Sequence, residues 1–95
     1  IFYLYYERIR KIDDNVYFWY LIDFSEKNRY GLSFIYYKEG DCKLFRFKSL
    51  QLLTFSERMG KGNSRDETPL NPKWYYPTPN SINVGILKIV CNHIN

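Results

Sequence analysis

The fold is decided by the stretch Pro79-Asn80-Ser81-Ile82-Asn83-Val84-Gly85-Ile86-Leu87-Lys88-Ile89-Val90-Cys91, which has the pattern of a helix. At 100° per residue, its isoleucines, valines and leucine fall on one broad apolar arc that includes Cys91 and extends to Ile94. The polar strip opposite this arc consists of Gly85, Lys88 and Asn92. This pattern predicts a C-terminal helix laid on a core, with Asn80 or Ser81 as its N-cap. The alternative is a last β-strand, because isoleucine and valine also favour strands.

The remainder of the chain has the composition of a β-sheet. Aromatic residues make up 20% of the sequence, with ten tyrosines and seven phenylalanines, and such side chains fit a pleated surface. Strand-like runs occupy residues 1–12, 16–24, 31–38 and 42–55. Turn residues at 13–15 and 39–41 separate them, and the second turn predicts a hairpin between the third and fourth runs. A chain of this length makes one domain, 1–95, and the expected fold class is α+β, with the helix packed on an antiparallel sheet.

Two of the runs have informative apolar patterns. Residues 16–24 are apolar on both faces, which is typical of a central strand covered by the helix on one side and by a long loop or a second subunit on the other. In the run 42–55, Cys42 and Leu44 share one face at the start. After Lys48-Ser49 the alternation blurs, which predicts a bend or a bulge.

The connections are polar. Residues 25–30 are predicted to form a polar connection, and residues 56–73, with two glycines and two prolines, a long exposed loop. A short apolar anchor, Trp74-Tyr75-Tyr76, follows this loop and leads into the helix.

The two cysteines, Cys42 and Cys91, have three interpretations: buried free thiols, half of a metal site, or a disulfide. Zinc requires four ligands at close spacings, which one cysteine pair and the single histidine do not supply, so we expect no metal and no cofactor. A disulfide would close a loop of about 50 residues, contribute roughly 4 kcal/mol, and indicate an oxidising compartment. Our hypothesis is this disulfide, which would tether the helix across the sheet.

No set of residues in the sequence indicates catalysis. His93 lies at the end of the predicted helix, where the helix dipole favours a cation, and it has no recognisable acid or nucleophile to act with. Gly60-Lys61-Gly62 lacks the earlier glycine and the following helix that a phosphate loop requires. The acidic pairs at 13–14 and 66–67 lie in turns and loops. We therefore expect a protein that is not an enzyme.

The net charge is +4 and the pI about 9.1, which permits anionic partners but is also common for an ordinary soluble surface. If binding follows electrostatics, the predicted ligand contacts are Arg8, Arg10, Lys11, Arg58, Lys61 and Arg65. Aromatic residues interleaved with basic ones, as in Phe45-Arg46-Phe47-Lys48, would also suit the stacking of single-stranded bases. We prefer the alternative that such phenylalanines are buried while the arginines are exposed, and we expect no nucleic acid partner.

Several motifs occur in a characteristic order. They are the tryptophan strand 16–24, Asp41-Cys42-Lys43 with Arg46, Met59-Gly60-Lys61-Gly62, Trp74, and the ending Pro79-x-Ser81-Ile82…Leu87-Lys88-x-Val90-Cys91. This order resembles the surface-adhesin protein E family of Gram-negative bacteria over about residues 5 to 92. The C-terminal block is the most specific part, because proline, serine and cysteine stand at the family's separations and follow a tryptophan.

The resemblance implies an antiparallel sheet of about six strands with one C-terminal helix, tethered by a disulfide between Cys42 and Cys91. It also implies export to the periplasm, the outer membrane or the cell surface, often as a lipoprotein. The sequence begins at Ile1 without a methionine, so we expect that an N-terminal export or lipid-anchor segment has been removed. That anchor would be the link to a membrane.

For function, the resemblance implies an adhesin-like, non-catalytic binding protein whose partners are host extracellular-matrix or serum proteins. The alternative is an accessory structural protein of the periplasm that acts as a homodimer and has no host ligand. The doubly apolar strand 16–24 favours this alternative, because a second subunit is one way to cover its outer face.

Overall fold

The computed structural model describes residues 1–28 and 31–93. Within these residues, seven strands form one antiparallel sheet, and a single α-helix, α1 (Ile82–His93), packs on it. The strands are β1 (Phe2–Leu4), β2 (Arg10–Ile12), β3 (Asn15–Asn28), β4 (Gly31–Asp41), β5 (Arg46–Phe55), β6 (Ser64–Asp66) and β7 (Trp74–Tyr75). Their order across the sheet is β1-β3-β4-β5-β6, with β2 also beside β3 and β7 also beside β5. The α+β fold is confirmed, with seven strands where about six were expected.

The C-terminal helix is confirmed, and Ser81 is its cap, because the Ser81 Oγ accepts a hydrogen bond from the Val84 N–H at 3.3 Å. Its inner face buries Ile86, Leu87, Val90 and Cys91. These side chains join a core with Ile9, Val16, Phe18 and Tyr20. One detail is wrong: Ile82, placed on the apolar arc, is 49% exposed, because it lies at the edge of the arc, away from the direction of Leu87 and Val90. Ile94 lies outside the described residues.

The disulfide between Cys42 and Cys91 is confirmed, with an S–S distance of 2.05 Å and a Cα–Cα distance of 5.7 Å. It joins the turn after β4 to the last turn of α1. The helix is therefore fixed covalently at its C-terminal end and by packing along its inner face.

The first strand-like run, 1–12, is broken into two short strands. A one-turn 3₁₀ helix, Tyr6–Arg8, separates β1 from β2, and the Tyr5 N–H donates to the Trp19 carbonyl at 3.1 Å before the chain leaves the sheet. This detour turns Ile9 into the core on the helix side, where it is 8% exposed. The gain of buried apolar area favours the detour over a continuous edge strand.

The predicted hairpin between the third and fourth runs is confirmed, but its turn lies elsewhere. Residues 39–41 belong to β4, and the turn comprises residues 42–45. Asp41 sets this position, because its Oδ1 accepts hydrogen bonds from the Lys43 and Leu44 N–H groups at 3.1 Å each. Cys42 and Leu44 are thus turn residues and do not share a strand face as expected.

The predicted irregularity after Lys48-Ser49 is confirmed as a bulge. Tyr37 pairs with Gln51 and Lys38 pairs with Ser49, so Leu50 is the extra residue of β5. The loop 56–73 is mostly exposed but contains a 3₁₀ turn, Arg58–Gly60, and the edge strand β6. The predicted connection 25–30 is partly strand, since β3 continues to Asn28; residues 29–30 lie outside the described residues.

The central strand β3 is covered on both faces at one end only. One face packs on α1, as expected. On the other face, the 3₁₀ turn Arg58–Gly60 covers Leu21 and Asp23, which are 2% and 4% exposed. Towards the start of β3, only the Arg8 side chain reaches over that second face within the described residues, so the expected long-loop cover extends over half of the strand.

Candidate functional site

The uncovered half of the sheet forms a surface that we call the open face. Because side chains alternate along a strand, Tyr17 and Trp19 of β3 point here while Phe18 and Tyr20 point towards α1. The strand register places three rows of side chains side by side across the sheet. The open face consists of Arg8, Arg10, Ile12, Asn15, Tyr17, Trp19, Tyr37, Glu39, Asp41, Arg46, Lys48 and Trp74.

Trp19 lies at the centre of the first row. The Arg8 guanidinium carbon is 4.4 Å from the centroid of the Trp19 ring, and the Tyr37 ring stacks on it at 4.5 Å with an interplanar angle of 20°. Arg8 lies between β1 and β2, which are on one side of β3, whereas Tyr37 belongs to β4 on the other side. The indole is therefore held between a cation and a second ring, and such contacts are favourable by about 0.5–1.5 kcal/mol each.

The second row crosses the sheet from β2 to β7. In the register, Arg10 lies opposite Tyr17, Tyr17 opposite Glu39, Glu39 opposite Lys48, and Lys48 opposite Trp74. The Glu39 carboxylate accepts a hydrogen bond from the Tyr17 hydroxyl at 3.1 Å. Burial, and then this bond to Glu39, raise the pKa of Tyr17, so the phenol stays neutral and continues to donate.

The Arg10 guanidinium is fixed by the backbone. Its Nη1 donates to the carbonyls of Glu7 and Ile9 at 2.8 and 2.9 Å. Among the described residues, neither Arg10 nor Arg8 forms an ion pair with a carboxylate. Both guanidiniums line one cavity of about 250 Å³, together with Ile12, Tyr17, Trp19 and Tyr37. A guanidinium has five N–H donors, so Arg10 keeps donors free for a ligand.

At the β5 end of the open face, two cations lie against Trp74. The Arg46 guanidinium carbon is 4.3 Å and the Lys48 Nζ 4.6 Å from the centroid of the Trp74 ring. Arg46 also donates to Asp41 at 3.0 Å. Burial raises the pKa of the Asp41 carboxyl, but the hydrogen bonds from the Leu44 N–H and from Arg46 outweigh it and lower that pKa overall. Lys48 has no carboxylate within ion-pair distance in the described residues.

The other half of the same sheet face is closed by a clamp. Arg58 donates twice to Asp23 Oδ2, from Nε at 2.8 Å and from Nη2 at 2.6 Å, and the Met59 N–H donates to Asp23 Oδ1 at 3.1 Å. The bond from Arg58 lowers the pKa of the Asp23 carboxyl. Ser33 adds a second attachment, since its hydroxyl donates to the Glu57 carbonyl and accepts from the Gly60 N–H. The clamp marks the border of the open face.

Within the described residues, the helix-covered face holds one buried cation. Lys38 is 4% exposed, and its Nζ donates to Asn83 Oδ1 in the first turn of α1 at 3.1 Å. The same atom is 3.9 Å from the centroid of the Phe47 ring and 4.7 Å from that of Tyr36. Burial lowers the pKa of Lys38 to about 7. This lysine is enclosed, so it serves the packing of α1 and is not a contact residue.

The structure separates the six predicted contact residues. Arg8 and Arg10 lie together on the open face. Arg58 is engaged by Asp23, and Lys61 is exposed in the loop that follows. The remaining two predicted residues point to the other side of the sheet: Lys11, opposite Val16, and Arg65, opposite Thr54.

Sequence reasoning missed Trp19, Tyr37, Lys48 and Trp74 as members of the surface. The alternation in 16–24 would have placed Trp19 opposite the helix-facing side chains. The pairing of Trp74 with Lys48 depends on a return of the chain after the loop 56–73, which local pattern does not reveal.

Two groups of observations bear on membranes and metals. No helix within residues 1–28 and 31–93 has the length and apolar character needed to cross a bilayer. In the same residues, no three side chains among histidine, cysteine, aspartate and glutamate come together as metal ligands.

The fold and the position of the disulfide invite comparison with known proteins. A sequence profile described as Surface-adhesin protein E matches residues 1–92. The chain belongs to the surface-adhesin protein E family. Its membership supports an adhesin-like surface protein.

Solved structures of a family member have the same fold. Crystal form II of Haemophilus influenzae protein E matches with a TM-score of 0.76 and 19% identity, over 99% of this chain and 83% of that chain. Protein E from non-typeable Haemophilus influenzae matches with a TM-score of 0.68 and 19% identity, over 96% of this chain and 69% of that chain. A search of curated proteins returns no match. At this identity the likeness shows the fold, and the open face must be interpreted from this chain's own residues.

Proposed function

We propose that this chain is an exported, non-catalytic surface protein that binds host extracellular-matrix or serum proteins through the open face. The observation that carries the proposal is the composition of that face, on which tryptophan, tyrosine and arginine side chains remain uncovered. These three residue types dominate the energetics of protein–protein interfaces. Charged groups at the rim, such as Lys48, would steer and orient a partner.

The arrangement of the rings supports a protein partner over a nucleic acid. Stacking of bases or sugars needs a free ring face. On the open face, the Trp19 ring is already stacked by Tyr37 and Arg8, and two cations of β5, Arg46 and Lys48, lie against the Trp74 ring. The open face therefore offers ring edges and hydrogen-bond donors, which suit the side chains and backbone of a protein.

The proposal includes the compartment. The Cys42–Cys91 disulfide is stable in an oxidising environment, which fits the periplasm or the cell surface. A lipid anchor added to an N-terminal segment and an export signal removed from it are parts of the same proposal.

The test measures binding to a panel of purified collagens, fibronectin and major serum proteins by surface plasmon resonance. We expect at least one partner to bind the wild-type protein, and Trp19→Ala to weaken that binding at least tenfold. The matched control is Ile82→Ala, which removes an exposed apolar side chain on the helix side and leaves binding unchanged. Thermal melts of both variants check that they are folded. Loss of binding in both variants alike would contradict an assignment to the open face.

The second candidate is an accessory periplasmic protein whose open face binds a second copy of the chain. It rests on the same uncovered half of β3. Light scattering distinguishes the two: a dimer that Trp19→Ala dissociates, together with failure of the whole partner panel, would favour the accessory protein.

A further inference from the structure

The charges of the open face are unequal. Three of its cations, Arg8, Arg10 and Lys48, have no carboxylate partner among the described residues. Its two acids are already engaged. Glu39 accepts from Asn15 and Tyr17 at 2.7 and 3.1 Å, and Asp41 is bound by Arg46 and by two turn N–H groups. The cations of the surface outnumber its acids and keep free N–H groups, and the complement of those groups is an acidic group.

The positions of the unpaired cations define a line. Arg10 on β2 and Lys48 on β5 belong to the same register row, three strand-to-strand steps apart. Adjacent strands are about 4.8 Å apart, so the two side chains start about 14 Å from each other. An extended peptide advances about 3.3 Å per residue, so four residues span this distance, and residues i and i+4 of an extended chain point to the same side.

The middle of the row imposes a further condition. Tyr17 and Glu39 lie between Arg10 and Lys48. The Glu39 carboxylate would repel a negative charge placed above it, and it accepts hydrogen bonds from a neutral donor. The residue at i+2 should therefore be neutral, for example an asparagine.

From these positions we infer that the open face binds an extended acidic segment of a partner protein, which crosses the strands and places carboxylates four residues apart at Arg10 and Lys48. The first carboxylate enters the cavity lined by Arg8 and Arg10, and the second meets Lys48 beside Trp74. This inference rests on the proposed function and adds the chemistry of the recognised segment. An anionic glycan is the competing ligand, which the test below distinguishes.

The protein carries its own reporter, because its two tryptophans, Trp19 and Trp74, both lie on the open face. A fluorescence titration of the wild-type chain therefore follows occupancy directly. The probe is a twelve-residue peptide of serine and glycine with glutamates at i and i+4 and asparagine at i+2. Control peptides carry glutamines in place of the glutamates, glutamates at i and i+2, or a third glutamate at i+2.

We expect the i, i+4 peptide to bind at least tenfold more tightly than each control peptide, with weaker binding in 0.5 M salt. Arg10→Gln and Lys48→Gln should each weaken the i, i+4 peptide about tenfold. Lys88→Gln, the matched control, removes a lysine from the exposed side of α1 and should leave the affinity unchanged. Equal binding of the glutamine peptide or of all spacings would overturn the inference.

Two further outcomes separate this inference from the proposed function. If panel proteins bind in a manner sensitive to Trp19→Ala but insensitive to Arg10→Glu and Lys48→Glu, the acidic segment is wrong and the adhesin function stands. If heparin changes the tryptophan fluorescence at lower concentration than the peptide, in a manner that requires both cations, the ligand is an anionic glycan and the inference is overturned. If no panel protein binds but the i, i+4 peptide does, the inference of an acidic segment is supported and the proposal of a host partner is wrong.

Discussion

The two faces of β3 carry the same kinds of side chain but differ in how far those side chains are buried. Phe18 and Tyr20 face α1 and are each 1% exposed, whereas Tyr17 and Trp19 face the opposite way and stay only partly covered. The difference lies in what packs on them. Apolar residues of α1 close the first face, and arginines and a second ring border the other. Aromatic content alone therefore does not distinguish a core from a binding surface.

The part of the covered face that lies under α1 around Gly40 is also tightly packed. A Cβ added to Gly40 would lie 2.9 Å from a Leu87 methyl group and 3.1 Å from Val16. The open face has space for a cavity of about 250 Å³ between Arg8, Arg10 and their neighbours. This contrast predicts that changes on the covered face alter stability, while changes on the open face alter binding.

Removing the disulfide should have the largest effect on the covered face. The double variant Cys42→Ser, Cys91→Ser opens the loop between two residues that are 49 positions apart. The chain-entropy model gives a loss of about 4 kcal/mol in the free energy of unfolding. Urea unfolding measures it. Binding by the open face should persist wherever the variant is folded, because α1 lies on the other side. A double variant as stable as the wild type would contradict the tether.

The pH dependence of stability should reveal Lys38. Its pKa is about 7 in the folded protein and 10.5 in the unfolded chain, so between these values the unfolded chain binds more protons and stability rises with pH. Below pH 7 both states are protonated and the penalty is constant. At about 1.36 kcal/mol per pKa unit, this shift corresponds to a rise of several kcal/mol.

The rise in stability should end near pH 10. Above that pH the tyrosines of the unfolded chain ionise, whereas burial raises the pKa values of Tyr20 and Tyr36 in the folded protein and keeps them neutral, so unfolding becomes more favourable. Unfolding in urea from pH 6 to 10 measures the profile. Lys38→Met should flatten it and raise stability at pH 6, since an apolar side chain of similar length avoids the buried charge. The exposed Lys88→Met is the control and should retain the full slope. A wild-type profile that is flat between pH 7 and 10 would refute the assignment.

Gly40→Ala should cost about 1–3 kcal/mol, because the new methyl group forces Leu87, Val16 or Phe18 out of position. The matched control is Gly85→Ala in α1, where the added Cβ meets nothing within 4 Å. That change should stabilise the protein by about 0.5–1 kcal/mol through helix propensity. Differential scanning calorimetry measures both, and a tolerated Gly40→Ala would show that the covered face can adjust.

The contrast between the faces also explains how far the sequence could predict the structure. The helix, a cap at Asn80 or Ser81 and the bulge after Ser49 follow from local signals: periodicity, capping residues and a break in alternation. The disulfide was one of three interpretations of the cysteine pair, and the structure confirms it. The turn at 42–45 was misplaced because Asp41 captures two N–H groups with its side chain, which outweighs the turn propensity of Glu39-Gly40.

The candidate site was only partly predictable for a different reason. Arg8 and Arg10 were identified from charge, and they lie on the open face. Arg58 was chosen on the same criterion and proved to be bound to Asp23, 35 residues away. Charge in a sequence does not tell whether a partner lies across the sheet. The row from Arg10 to Trp74 exists because five strands are in register, which is a property of the whole chain.

The smallest expected effect lies on the helix side of β5, where Thr54 is 1% exposed and its Oγ1 has no hydrogen-bond partner in the part of the chain that the structure describes. Burial of an unpaired hydroxyl is unfavourable, so Thr54→Val, which keeps the shape, should stabilise the protein by about 0.5–1 kcal/mol. Thr68→Val is the matched control. The Thr68 Oγ1 accepts from the Leu52 N–H at 3.1 Å, so its loss should cost about 1 kcal/mol.

Urea unfolding of both threonine variants measures the difference in sign. A loss of stability in Thr54→Val would mean that its hydroxyl binds a water in the adjoining cavity of about 330 Å³, which Phe34, Tyr36, Leu52 and Glu67 also line. That result would show that this part of the helix-side face is hydrated. A gain of stability in Thr54→Val would show that this part of the face is packed without water, as it is around Gly40, because a methyl group would then fit where the hydroxyl is unpaired.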